Sequence, residues 1–262
     1  MLKGLYVAYT GMIQEQNRMD NLANNLANAD TTGFKKEGLS SQTFDAVLID
    51  KIRDDSEAHH FAKRIGPMNP GVKIGESYVD WSEGSFQVTD IPMDLAIGGK
   101  GFFTVEFTNK AGETSTFYTR DGNLQLTTDG YLVTTDGDYV LGRQGNGTAR
   151  IKLDPTKEVK VDQEGYIYQD GKVVSRLAIT DFEDYDYLEH YGENYYYPVD
   201  GATETEAQGK IFQGYLETSN VSVVSEMVEM ISVSRQYEAN QKVIQTYDTS
   251  LQTATQLGRL QG

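Results

Sequence analysis

The sequence predicts an α+β protein: long N- and C-terminal helices forming a coiled-coil-like inner domain, with a mainly antiparallel β middle domain. Three observations predict it. Apolar residues recur every seven positions at both ends of the 262-residue chain, all five prolines lie between those ends, and Asp-Gly and Glu-Gly pairs punctuate the interior.

At the N-terminal end Leu5, Met12, Met19 and Leu26 are seven apart. A repeat of 3.5 residues keeps one stripe of a helix facing a partner along its whole length. The helix is expected from about Leu2 to Asn28, roughly 40 Å at 1.5 Å per residue, with Gly33 as its stop. Asn21, Asn24, Asn25 and Asn28 follow the same helix at three- and four-residue steps. Amides weaken an isolated helix, so these four are read as cross-linking chains and fixing register among neighbouring helices, as buried Asn does in coiled coils, against the plainer reading of one terminal helix packing on the other inside a monomer.

The C-terminal end repeats the device. Val223, Met230, Tyr237, Ile244 and Leu251 are again seven apart, Met227, Ile231, Val243 and Tyr247 widen the stripe, and Asn220 or Ser222 stands ready to cap the first turn. Narrow seams are marginal alone, so both helices are expected to order on assembly.

Between them the pattern changes to period two. Lys73 to Trp81 and Phe103 to Phe107 alternate as half-buried strands do, and Asp121-Gly122, Asp129-Gly130, Asp136-Gly137, Glu164-Gly165 and Asp170-Gly171 are hairpin-type turns of a meander. The resulting division is a helical assembly domain (1–33 and 217–262), a connector (34–72) and an outer β domain (73–216).

Charge follows the same division. The chain has 23 Lys and Arg against 39 Asp and Glu, a net −16; the helical ends are near neutral, and about −14 falls on the middle. Nucleic acid is excluded as a partner, since phosphate binding takes a basic surface. No run approaches the roughly 18 apolar residues of a membrane span, so direct membrane insertion is not expected. The N-terminus lacks the unbroken apolar run of a cleaved signal peptide. With no cysteine, disulfides, thiolate metal sites and a cysteine nucleophile are excluded together. Residues 181–206 concentrate nine acids and seven Tyr or Phe without a Lys or Arg. Two readings stand for this stretch: a tyrosine-rich binding surface, or an exposed excursion from the β domain whose tyrosines pack locally.

No constellation of catalytic, cofactor-binding or metal-ligating residues emerges. Gly98-Gly99-Lys100-Gly101 lacks the Ser or Thr that a phosphate loop needs after its Lys, and reads as a turn. Asp54, Asp55, Glu57, His59 and His60 lack metal-site spacing and read as a solvated connector. Three histidines without a nucleophile elbow give no triad, and in so acidic a chain no carboxylate pair stands out. The chain is read as no enzyme.

Asn24 to Lys35 (NNLANADTTGFK), Pro92 to Phe103 (PMDLAIGGKGFF), Tyr118 to Gly142 and Gln213 to Asp248 resemble, in order, the bacterial flagellar rod and hook proteins. The resemblance implies a structural basal-body rod subunit that self-assembles into a helical, torque-transmitting tube around the export channel. Both termini would line that tube and the β domain would face outward. It also implies delivery through the flagellar type III export apparatus to the basal body, outside the cytoplasmic membrane. The implied partners are further copies of itself, other rod proteins and hook protein. Carried onto this chain, the seams above form subunit contacts, and Gly33, Phe34 and Lys35 begin the segment that touches neighbours. The length and the run Gly71 to Phe86 incline toward the distal-rod type. The rival is an extracellular adhesin or phage-tail-like module whose helical ends only oligomerise.

Overall fold

Both heptad-bearing ends are helical in the computed structural model, which describes residues 2–51, 63–109, 112–145, 147–192 and 194–260. Helix α1 spans Leu2–Ala27 and α2 spans Val223–Leu260, the latter starting directly after Ser222. Neither carries proline, and no helix among the described residues is long and apolar enough to cross a membrane. The middle is mostly antiparallel β. The chain divides into two units: Met1–Leu26, Glu37–Val79 and Ser222–Gly262 form the first, Ala27–Lys36 and Asp80–Val221 the second.

In the first unit α1 and α2 run antiparallel. Tyr247 lies over Gly4, Asn240 over Gly11, and Arg18 reaches Glu229 at 2.8 Å, so the partner's number falls as the α1 number rises. Gly4 and Gly11 are seven apart, as are Tyr247 and Asn240, and the absent side chains make room for the larger ones. Two hairpin-like pairs complete the unit: Glu37–Thr43 with Val72–Val79, carrying a bulge between Leu39 and Ser41, and Val47–Lys51 with Lys63–Met68. The Gln14 amide of α1 donates to the Ser41 hydroxyl. The acidic connector with His59 and His60 lies outside the described residues.

The second unit is built on an antiparallel sheet of ten strands among the described residues. Its main path runs Leu188–Tyr191, Tyr195–Pro198, Thr114–Thr119, Phe102–Thr108, Tyr139–Gln144, Leu132–Thr134, Leu124–Leu126. A three-stranded sheet, Val159–Val161, Tyr166–Gln169 and Lys172–Arg176, accompanies it. Alternating positions such as Phe103, Val105, Leu124, Leu132 and Val140 bury together with Ile151, Ile167 and Ile211 in the main core.

The acidic, tyrosine-rich stretch is no exposed excursion: Leu188–Tyr191 and Tyr195–Pro198 are strands of the main sheet, and its rings pack on residues far along the chain. Tyr195 and Tyr196 are buried, and Trp81 meets Phe102, Tyr185 and Tyr196 at ring distances of 4.8 to 5.5 Å. The carboxylates bond neighbouring hydroxyls: Tyr118 donates to Glu204 (2.6 Å) and Tyr185 to Asp181 (2.7 Å). Burial first, and these carboxylates second, raise the phenol pKa of both tyrosines. Gly98 ends a strand, and Gly99 and Gly101, both at positive φ, turn the chain into Phe102–Thr108. That is the turn read from the sequence.

Candidate functional site

Two features carry the chemistry of interaction: a buried ionic junction in the second unit, and the faces of the two helices in the first.

The junction gathers three of the four points at which the chain enters or leaves the second unit, at Lys36, Asp80 and beside Asn220. The Asp80 N–H donates to the Lys36 carbonyl at 2.8 Å. Asn220 accepts from the Lys36 N–H and donates to the Asp80 carbonyl, each at 2.8 Å. Asn220, one of two residues expected to cap α2, thus ties the crossings together. Beside it three charged side chains are buried: Lys35 (1 % exposed), Glu217 (0 %) and Arg120 (6 %). Lys35 donates to Glu217 at 2.5 Å and to the Ser82 carbonyl at 2.8 Å. Arg120 donates to Glu217 (3.3 Å) and to the Ile97 and Gly99 carbonyls (3.1 and 2.7 Å), and its guanidinium sits 5.2 Å from the Phe102 ring centre. Glu217 also accepts the Gly84 N–H at 3.0 Å. Burial holds the Lys35 ammonium below the usual lysine pKa, while the Glu217 carboxylate opposes that shift.

Gly33 feeds this junction. Its φ of 70° lies in the left-handed region, its N–H donates to the Glu217 carbonyl at 2.9 Å, and a Cβ would collide with the backbone at Arg120 and Asp121. Only glycine fits both demands. Phe34 is buried beside it, edge-on to His190. Thr32 donates to Asp121 at 2.6 Å, and burial raises the pKa of that carboxyl above the ordinary aspartate value despite the bond.

In the first unit the residues predicted from the heptads divide. Leu5, Met12, Met19, Leu26, Met230, Tyr237, Ile244 and Tyr247 are half-buried, whereas Val223, Met227 and Leu251 are exposed. Of the four asparagines, Asn25 is fully buried. Its amide donates to the Glu37 carbonyl at 2.8 Å and its oxygen accepts the Glu37 N–H at 3.0 Å, an imitation of one rung of a sheet. It also stands 3.5 Å from buried Glu226 on α2. Asn21 bonds Asn25 at 3.4 Å, Asn28 accepts from the Thr31 hydroxyl at 3.2 Å, and Asn24 is exposed. Replacing Asn25 by alanine removes both of its bonds to the Glu37 backbone. It should cost about 1–3 kcal/mol in denaturant unfolding, and an unchanged midpoint would contradict that pairing.

Sequence reasoning missed Arg120, Glu217 and Asn220 as members of one site. Each lies in a block that resembles the rod and hook proteins, but nothing local marks Lys35 and Glu217, 182 positions apart, as partners.

Comparison with known proteins fits this arrangement at both ends and in the middle. Residues 5–35 match the model of the flagella basal body rod protein, 96–169 the flagellar hook protein FlgE/F/G D1 domain, and 213–257 the flagellar basal body rod FlgEFG protein C-terminal model. The chain is 34% identical to the flagellar basal-body rod protein FlgG of Bacillus subtilis, over 99% of this chain and 100% of that one. The chain belongs to the flagellar basal-body rod protein family. FlgG of Buchnera aphidicola subsp. Schizaphis graminum is 31% identical over 98% of this chain and all of its own length, and the B. subtilis hook-basal body complex protein FlhO 32% over 99% and 100%. This rod-family chain is therefore a structural subunit of the flagellar basal body rather than an enzyme. The junction contains the end of the first matched block, Gly33 to Lys35, and Glu217 near the start of the last.

Proposed function

We propose that this rod subunit self-assembles into a helical, torque-transmitting tube around the export channel, using its two terminal helices as coiled-coil-like elements that pack against those of neighbouring copies. The observation that carries this reading is an uncovered apolar stripe on α2. Val224, Met227, Val228 and Ile231 fall at helical spacing on one face and are 73, 48, 63 and 54 % exposed. On α1, Tyr6, Tyr9 and Ile13 form a second such stripe. Each large apolar side chain buried by a neighbour contributes about 1.5–3 kcal/mol, and two different stripes on one chain make a heterologous contact, which extends rather than closes.

The predicted seam residues then serve in two ways. Those half-buried hold α1 on α2, and Val223, Met227 and Leu251 belong to the contact with the next copy. Asn21, Asn24, Asn25 and Asn28 set register at the end of α1. Gly33, Phe34 and Lys35 act from the junction, where they are buried, by holding the start of the connecting segment. Charge favours the same division of labour. The first unit carries 10 basic and 13 acidic residues and the second 13 and 26, so copies approach with least repulsion through the first. The distal rod, delivery by type III export, and other rod proteins and hook protein as axial neighbours complete the reading. They rest on the family resemblance.

The test is the double substitution Val228→Glu with Ile231→Glu in the full chain. These sites are exposed, so the melting temperature should stay within a few degrees, while rods fail to form and swimming is lost. Normal rods in cells that carry only the double variant would refute the proposal.

A further inference from the structure

With 13 basic against 26 acidic residues, the second unit presents like charge to another copy over most of its surface. One strip departs from this. Residues 85–92 and 211–216 contain a single charged side chain, Asp90. Within the strip, Phe86–Val88 pairs with Tyr215–Glu217, Val88 opposite Tyr215, and among the described residues no strand pairs with its other edge. Phe86, Val88, Ile91 and Tyr215 are 39, 56, 53 and 37 % exposed. The rings of Phe86 and Tyr215 stand 5.8 and 6.3 Å from Phe212, which makes one aromatic patch.

The backbone holds this patch in an uncommon form. Asp90, a non-glycine residue, sits at φ 56°, and its N–H bonds the carbonyl of Gly214, itself at φ 78°. Such a conformation is strained for a non-glycine residue and persists where the surroundings impose it. Here it bends the chain between Val88 and Ile91, and both remain exposed. Free edges are usually blunted by lysine, proline or a bulge. This one presents Phe-Gln-Val.

We propose that the strip is a second contact between subunits, occupied by another copy of this chain. The inference rests on the self-assembly reading above. Charge selects the occupant: a basic partner would be drawn to the acidic surface found elsewhere on the unit, whereas a neutral apolar strip removes the repulsion between two equally acidic copies.

The experiment places a photoreactive benzoylphenylalanine at Val88 of the full chain, and in a separate strain at Ile231, in cells that build flagella. Illumination is followed by isolation of basal bodies. Both probes should give covalent dimers of this chain, the Val88 product mapping to a peptide of the second copy. Val88→Glu with Ile91→Glu should leave the melting temperature within a few degrees and lower the dimer yield from the Ile231 probe about tenfold. Dimers from Ile231 without dimers from Val88, or a Val88 adduct with a different protein, overturn the strip alone. Absence of dimers from both probes overturns the strip and the self-assembly reading together.

Discussion

Glu217→Ala should destabilise the second unit by about 3–5 kcal/mol, the cost of removing one partner from a buried ion pair. The substitution strands Lys35 and Arg120, which retain carbonyl partners at Ser82, Ile97 and Gly99 but lose their counter-charge, and it leaves the Gly84 N–H without its acceptor. Denaturant unfolding followed by tryptophan fluorescence reads the loss, because Trp81 is the chain's single tryptophan and packs on Phe102 in the same unit. Glu217→Gln should cost less, since the amide oxygen still accepts from Lys35 and Gly84. The double variant Lys35→Met with Glu217→Ala should recover part of the loss, because the buried ammonium is removed together with its partner. Equal midpoints for Glu217→Ala and the parent would show that the three charges are not coupled.

Gly122→Ala should cost more than about 3 kcal/mol, through a different cause. A Cβ at this position overlaps the Leu95 carbonyl oxygen and also presses on the Phe103 ring, so backbone rather than a flexible side-chain tip has to move. The Leu95 N–H donates to the Gly122 carbonyl at 3.0 Å, and Leu95 and Phe103 both belong to the main core. A shift there loosens the pairing and the packing at once. Gly147→Ala is the control: its Cβ meets nothing within 4 Å and its φ is not positive, so its unfolding midpoint should stay within about 0.5 kcal/mol of the parent. Similar midpoints for the two variants would refute the steric account.

The helical ends and the β middle were legible because each rests on local period and turn chemistry. Leu5, Met12, Met19 and Leu26 announce a helix whatever they pack on, and Asp129-Gly130 announces the hairpin turn between Leu124–Leu126 and Leu132–Thr134, whereas Asp121-Gly122, read the same way, lies in irregular chain between strands that do not pair with each other. What a seam packs on is not local. The same heptads that suggest partners in other chains also place Gly4 and Gly11 of α1 under Tyr247 and Asn240 of α2, and the outward stripe through Val224, Val228 and Ile231 became separable only once the helix pair was seen. Asn25 illustrates the limit. Its spacing marks it as a register residue, but its bonds go to the backbone of Glu37, twelve positions on, which no helical pattern reveals. The junction was hidden more deeply. A lysine in a family-like block and a glutamate 182 positions later become partners only because strands near both ends of the second unit close beside each other. Val72–Val79 falls within the alternation read over Lys73 to Trp81, but its partner Glu37–Thr43 and the pair Val47–Lys51 with Lys63–Met68 were obscured because proline, glycine and mixed charge dilute their alternation.

The central claim is that many copies of this chain build the rod. The most direct measurement inserts an epitope between Asp170 and Gly171, a hairpin turn where a Cβ built on Gly171 meets nothing within 4 Å, and images antibody-labelled basal bodies isolated from cells whose only source of this subunit is the tagged chain. The account predicts label repeated at a regular axial interval along the rod. Label confined to a ring or the filament, or intact rods without label, would contradict it.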